Sequence, residues 1–212
     1  MINGKFKKNV MVYSILLLSV FTIFNTHAQD VVQKAPDLVV KDTVNAIVNN
    51  IQENRDLYEN DSQALYQMVE QTLVPSLHVP RMAKLILGKK YAKSSSEQQI
   101  ADFAQEFQTF IMKTYAPALL EYTGKEKVVY DDIDLKPGDD RVKVNGKLIA
   151  ANGKDYQVTL YMSNRKDTQW RAYNMNIAGI NFISTYRSTF EPTLKKKGID
   201  GLIADLREKN TQ

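Results

Sequence analysis

The chain has 212 residues and no cysteine, so disulfide staples are excluded and stability must come from packing. Its 28 basic and 24 acidic residues give a net charge of +4, but three of the lysines stand within the first eight positions. Taking those three from 28 leaves 25 against 24, a balance of +1 that argues against nucleic acid as the partner.

Those lysines, Lys5, Lys7 and Lys8, open an export signal. An apolar stretch runs from Val10 through Phe24, and Thr26, His27 and Ala28 form a cleavage box, which predicts loss of residues 1–28 and Gln29 as the new first residue. The stretch is 15 residues long, short of the ~20 that a spanning helix needs, and nothing later is long or apolar enough to cross a bilayer. Residues 29–212 then form one domain, with no linker or repeat to divide them. A chain of that size hides roughly 70% of its unfolded surface, enough for a core with room for an internal cavity.

Residues 37–52 repeat Val40, Val44, Ile47, Val48 and Ile51 at helical spacing, with Asp37 after Pro36 as the cap. A second helix starts at Asp61 or Ser62, carries Leu65, Met68, Val69 and Leu73, and stops at Pro75. A third covers residues 79–87, including Met82 and Leu85, with Pro80 in its first turn and Gly88 closing it. The fourth opens with Ser94 and Glu97 as a capping box and carries Ile100, Phe103, Phe107, Phe110, Ile111 and Tyr115. Pro117 kinks or restarts it before Gly124.

Strand periodicity follows, first over residues 127–133. Residues 141–149 alternate Val142, Val144 and Leu148 with Arg141, Lys143 and Lys147; Asn152-Gly153 then marks a hairpin turn. Residues 155–162 alternate Tyr156, Val158, Leu160 and Met162 with Gln157 and Thr159, and a loop over residues 164–168 leads back to Trp170. Tyr173, Met175 and Ile177 then share one strand face, and after Gly179 the residues Ile180, Ile183, Tyr186 and Phe190 share one helical face. Pro192 kinks or restarts that helix, Gly198 closes it, and Asp200 caps a last short helix through Leu206. Helices, an antiparallel meander and helices again predict an α+β fold, with helices packed on one face of a curved sheet of about four strands.

Little in the chain suggests catalysis or metal binding. His78 is the single histidine after the export signal and reads as an ordinary polar residue at a helix start. The acidic run Asp131, Asp132, Asp134, Asp139 and Asp140 fails the calcium-loop pattern: counted from Asp132, Lys136, Pro137 and Lys143 fall on its fifth, sixth and twelfth positions. Lys195, Lys196 and Lys197 sit where cations offset the negative end of a helix dipole, with contact to an anionic partner or head group as the alternative. The stripe of Phe103, Phe107 and Phe110 reads as core, although periodicity alone does not separate core from a pocket wall.

The C-terminal third holds Trp170-x-Ala172-Tyr173, Ala178-Gly179-Ile180, Tyr186-Arg187-Ser188-x-Phe190 and Lys197-Gly198-Ile199-Asp200-Gly201-Leu202-Ile203-x-x-Leu206 in that order. Arg81 to Lys84, Leu87-Gly88, Glu97-Gln98 and the segment from Phe103 through Tyr115 precede it. This ordered set, from Leu77 to Leu206, resembles the MlaC family of periplasmic phospholipid carriers, also called toluene-tolerance auxiliary proteins. The chain departs from the family pattern at His78 and Asn174, where an aspartate is more usual. The resemblance implies a nuclear-transport-factor-like fold and a periplasmic location, with no cofactor, metal or catalytic residue. The implied role is shuttling glycerophospholipid between an outer-membrane lipoprotein-porin complex and an inner-membrane ABC transporter with a membrane-anchored substrate-binding subunit, which maintains outer-membrane lipid asymmetry. It also implies acyl chains held between the fourth helix and the sheet. The inward residues expected to line that pocket are Met82, Leu85, Phe103, Phe107, Phe110, Tyr115, Val144, Leu148, Val158, Leu160, Tyr173, Met175, Ile177, Ile180 and Ile183. A small enzyme or binding module of the same cone-shaped fold is the alternative, and it requires an acid or base facing the pocket.

Overall fold

The computed structural model describes residues 33–165 and 169–211; the predicted export signal lies outside them, as do residues 166–168 of the expected loop. Helix α1 (Pro36–Glu53) begins on a proline, whose missing N–H would have lacked a partner in any case. Ala35, not Asp37, is its N-cap, and the Asp37 carboxylate pairs instead with Lys41 one turn on, at 3.0 Å. That bond lowers the Asp37 pKa from its ordinary value.

A short helix that sequence reasoning missed, α2 (Arg55–Asn60), follows; six residues are too few to show a period. Its Arg55 guanidinium donates to the carbonyls of Leu120 and Tyr122, far along the chain. Asp61 caps α3 (Ser62–Thr72), its Oδ1 accepting from the backbone N–H of Gln63 at 2.9 Å and Ala64 at 3.1 Å. A 3-10 turn (Val74–Ser76) leads to α4 (Val79–Ser94), which breaks at Gly88 (φ 70°) as expected but resumes as far as Ser94. The resumed stretch absorbs Ser94, so the capping box of α5 (Glu97–Tyr115) is Ser96 with Gln99, not Ser94 with Glu97. The Ser96 Oγ accepts from the Gln99 N–H at 3.1 Å, and the Gln99 Oε1 accepts from the Ser96 N–H at 2.9 Å. At Pro117 the chain tightens into a 3-10 segment (Ala116–Glu121).

The sheet is an antiparallel meander in chain order: β1 (Lys127–Tyr130), β2 (Arg141–Ile149), β3 (Asp155–Ser163), β4 (Arg171–Ile177) and a two-residue β5 (Ile180–Asn181). The fold is α+β, as expected, with β1 stopping three residues short of its predicted end. In the pairing of β3 with β4, Met162 faces Ala172 and Tyr161 faces Asn174, so Tyr173 is a bulged, extra residue. It therefore leaves the face predicted for it, while Met175 opposite Leu160 and Ile177 opposite Val158 keep theirs.

Helix α6 (Phe182–Thr211) accommodates Pro192 without ending and breaks at Gly198 (φ 68°). Its last part runs past Leu206 to Thr211, and Asp200 does not cap it but accepts from the Gln99 side chain of α5 at 2.8 Å. Three apolar clusters result. Helices α4, α5 and α6 form one around Phe103, Phe107, Tyr186 and Phe190; α1, α2, α3 and Ala116 form the second around Ile51 and Leu65; Val40 of α1 closes the third on Val144, Met162, Trp170 and Ala172. Ser96→Ala should lower stability by about 1 kcal/mol, the usual worth of an N-cap, while Ser94→Ala stays within about 0.5 kcal/mol of the parent. Denaturant melts of the two variants would reverse that order if Ser94 were the cap.

Candidate functional site

Two apolar cavities open where the three clusters meet. The larger, about 200 Å³, lies between α1 and the inner sheet face and is walled by Val39, Val40, Val44, Ile47, Leu160, Met162, Ala172 and Met175. The smaller, about 140 Å³, lies among α3, α4 and α5, walled by Val69, Val74, Val79, Phe107, Met112, Tyr115, Ala116 and Leu119. Leu73, Leu77, Met82, Ile111 and Phe182 belong to both walls, so a partition of five side chains separates the two spaces.

The polar side chains in these walls are already engaged. Thr43 and Ser76 donate to the carbonyls of Val39 and Leu73, at 2.8 and 2.7 Å, as hydroxyls on helices and turns commonly do. Asn174 Oδ1 accepts from the N–H of Met175 at 2.9 Å and of Ile183 at 3.2 Å, which holds the first turn of α6 against β4. The aspartate expected at this position from the resemblance would accept the same bonds that this amide accepts. Gln108 reaches outward to Glu70 at 3.4 Å. Tyr115, 52% exposed, is the single ionisable residue that the two walls contain among the described residues; its hydroxyl lies 2.9 Å from that of Tyr186. Burial, and then the bond to Tyr115, raises the Tyr186 pKa above its ordinary value, so the Tyr186 hydroxyl keeps its proton near neutral pH.

The predicted pocket residues divide. Met82 lines both cavities, Phe107 and Tyr115 the smaller one, Leu160 and Met175 the larger. Phe103 and Ile183 are instead solid core among the helices, with Leu85, Phe110 and Tyr173 packed against that core. Rings explain why: Phe107 meets Tyr186, Phe190 and Phe182 at centroid distances of 5.0, 5.8 and 6.0 Å, and these edge contacts fill the space around Phe103. Val144 is core beneath the sheet, and Leu148 and Val158 are half-buried on its inner face outside both walls. Ile177 and Ile180, 40% and 66% exposed, stand at the β4–β5 turn, away from both cavities. Leu77 and Phe182 escaped prediction because they lie at joins between elements, where no period marks them.

Residues 41–208 match the family model described as MlaC protein. The chain is 27% identical over 188 residues to the toluene tolerance protein ttg2D of Pseudomonas putida, spanning 88% of this chain and 83% of that one. It is 26% identical over 201 residues to the intermembrane phospholipid transport system binding protein MlaC of Haemophilus influenzae, spanning 93% and 92%. Among solved structures, the phospholipid-binding protein of Ralstonia solanacearum in complex with a phospholipid has the same fold. That match has a TM-score of 0.75 at 24% identity and covers 84% of this chain and 98% of the other. With the family model spanning both the helices and the sheet that wall the cavities, the chain belongs to the MlaC family.

Proposed function

We propose that the chain is a periplasmic carrier of glycerophospholipid, and that the two adjoining cavities hold its acyl chains. The observation that carries this reading is the paired apolar space itself, whose polar wall groups are engaged within the protein. Two acyl chains hold about 28 methylenes, and at ~0.8 kcal/mol each their exposure to water would cost on the order of 20 kcal/mol. A carrier must therefore enclose them and release them only to another apolar site. Among the described residues the walls contain no Lys or Arg that could clamp a phosphate, which supports little head-group selectivity. Residues 1–28 would direct export and be removed. Membership of the family supports cargo exchange with an outer-membrane lipoprotein-porin complex and with the membrane-anchored subunit of an inner-membrane ABC transporter. An enzyme in this fold would need an acid or base at the cavity, a place where the described residues offer Tyr115 alone.

The mature protein purified from cells should carry diacyl glycerophospholipid near one molecule per chain, with head groups in the proportions of the source membrane. Native mass spectrometry with lipid extraction reads this directly; an empty protein, or one holding a single polar metabolite, would sink the carrier reading.

Leu160→Trp should place its ring in the larger cavity, cutting co-purified lipid severalfold with little change in the melting temperature of the delipidated protein. Val144→Trp, in packed core outside both walls, should instead cost the ~1 to 3 kcal/mol typical of overpacking. Full lipid load together with a lowered melting temperature in Leu160→Trp would make Leu160 core.

A further inference from the structure

The strands that wall the larger cavity have a second face, and it gathers cations. Lys143 on β2 stands opposite Tyr161 on β3, its ammonium 5.6 Å from the ring centre. The Tyr161 ring lies 6.4 Å from that of Tyr173, the bulged residue of β4, and the Arg81 guanidinium of α4 lies 3.6 Å from the Tyr173 ring centre. A ladder of two rings with a cation at each end thus crosses four elements. Arg141 and Arg165 flank it, both within reach of Asp140, at 3.8 and 3.2 Å. Against these four cations the ion pairs of the described residues set one carboxylate, Asp140. Burial lowers the Arg81 pKa; Tyr173 and Asp140 oppose that, while Arg141 and Arg165 add to it. Among the described residues, the cluster thus gathers more positive charge than its ion pairs offset. The triple lysine differs: Lys195 pairs with Glu191 at 2.6 Å and Lys197 with Asp205 at 2.7 Å, so that run is largely matched within its own helix.

We propose that this outer sheet face docks an acidic patch of a partner protein, with carboxylates entering the forks of Arg141 and Arg165 and lying against the ladder from Lys143 to Arg81. Guanidinium groups match carboxylates with two parallel bonds, and Tyr with Arg is the pair of residue types that interface centres favour. A membrane-adsorbing surface combines cations with protruding apolar side chains on a helix. Here the cations stand beside half-buried tyrosines on a hydrogen-bonded sheet. Lys143 and Tyr161 alternate along β2 and β3 with Val144, Leu160 and Met162, so this face is the reverse of the strand face that walls the larger cavity, and the inference does not depend on what the cavities hold.

The test uses the mature protein, a fluorescent glutamate-rich peptide and, separately, vesicles of phosphatidylcholine containing phosphatidylglycerol. The parent should bind the peptide with an affinity that falls as salt rises, and the Arg141→Glu, Lys143→Glu double variant should lose about tenfold or more. The Lys195→Gln, Lys196→Gln, Lys197→Gln variant should stay within about twofold of the parent, and vesicle binding should be the same in all three proteins. Should charge reversal lower the melting temperature, the Arg141→Gln, Lys143→Gln variant replaces it with the same expectation. Equal peptide affinity in parent and double variant overturns the proposal. So does an equal loss in the triple-lysine variant, and so does a loss seen with vesicles but not with peptide, which would make the face a membrane contact.

Discussion

Where the helices are fastened to the sheet decides whether three apolar clusters fuse into one core. Leu77 pairs in parallel with Ala172 on the edge of β4, and the His78 N–H donates to the Ala172 carbonyl at 2.8 Å. This is a backbone seam, so side-chain changes around it do not move it easily. It sets the α4–α5–α6 bundle beside β4, while α1 packs on the inner face through Val40. Layers joined along one line and diverging from it leave a wedge, which Leu73, Leu77, Met82, Ile111 and Phe182 fill only in part. An unfilled apolar space of this size costs a core several kcal/mol. A ligand that binds the folded chain alone returns stability by mass action, so the wedge is a weakness only when empty.

The bundle keeps its shape across two interrupted helices because other residues take over the lost bonds. The left-handed turn at Gly88 swings the following N–H groups away from the carbonyls of the preceding turn. Arg187 of α6 donates to the Leu85 carbonyl from Nε at 3.0 Å and also from Nη2, supplying the donor that the break removes and tying α6 to α4. Arg55 does the same for the carbonyls of Leu120 and Tyr122 where the 3-10 segment ends. In both places a planar fork serves backbone that a helix would otherwise have satisfied itself. The arginine within the Tyr186-Arg187-Ser188 segment that resembles the family thus has a physical task far from any catalysis.

Long periodic segments were legible in the sequence, and the places where segments meet were not. The stripes of α1, α3 and α5, the bounds of β2 and the turn at Gly153 follow from spacing and turn chemistry alone. Ser94 and Ser96 both satisfy the capping pattern with their third neighbours, and only the persistence of helix beyond Gly88 selects Ser96. For the site, periodicity found which residues face inward but not how far apart the opposing layers stand. That distance depends on the seam at Leu77, and on the rings that close around Phe103 while leaving Met82 and Phe107 on the wedge. Hence one helical stripe could yield both solid core and cavity wall.

The bulge at Tyr173 shows how one sheet serves two surfaces. Residues two apart on a strand share a face, so an unbulged β4 would send Tyr173 inward with Met175, into the larger cavity. The extra residue lets Ala172 stay opposite Met162 and Met175 opposite Leu160 on the inner face, while Tyr173 turns to Tyr161 and Arg81. The small Ala172 side chain then borders the cavity, and the ring that would have filled it carries the cationic ladder instead. Strand pairing would be more regular without the bulge, but the inner face would lose volume and the outer face its central ring. The two surfaces thus depend on the same irregularity, and neither could be rebuilt by substituting side chains on a regular β4.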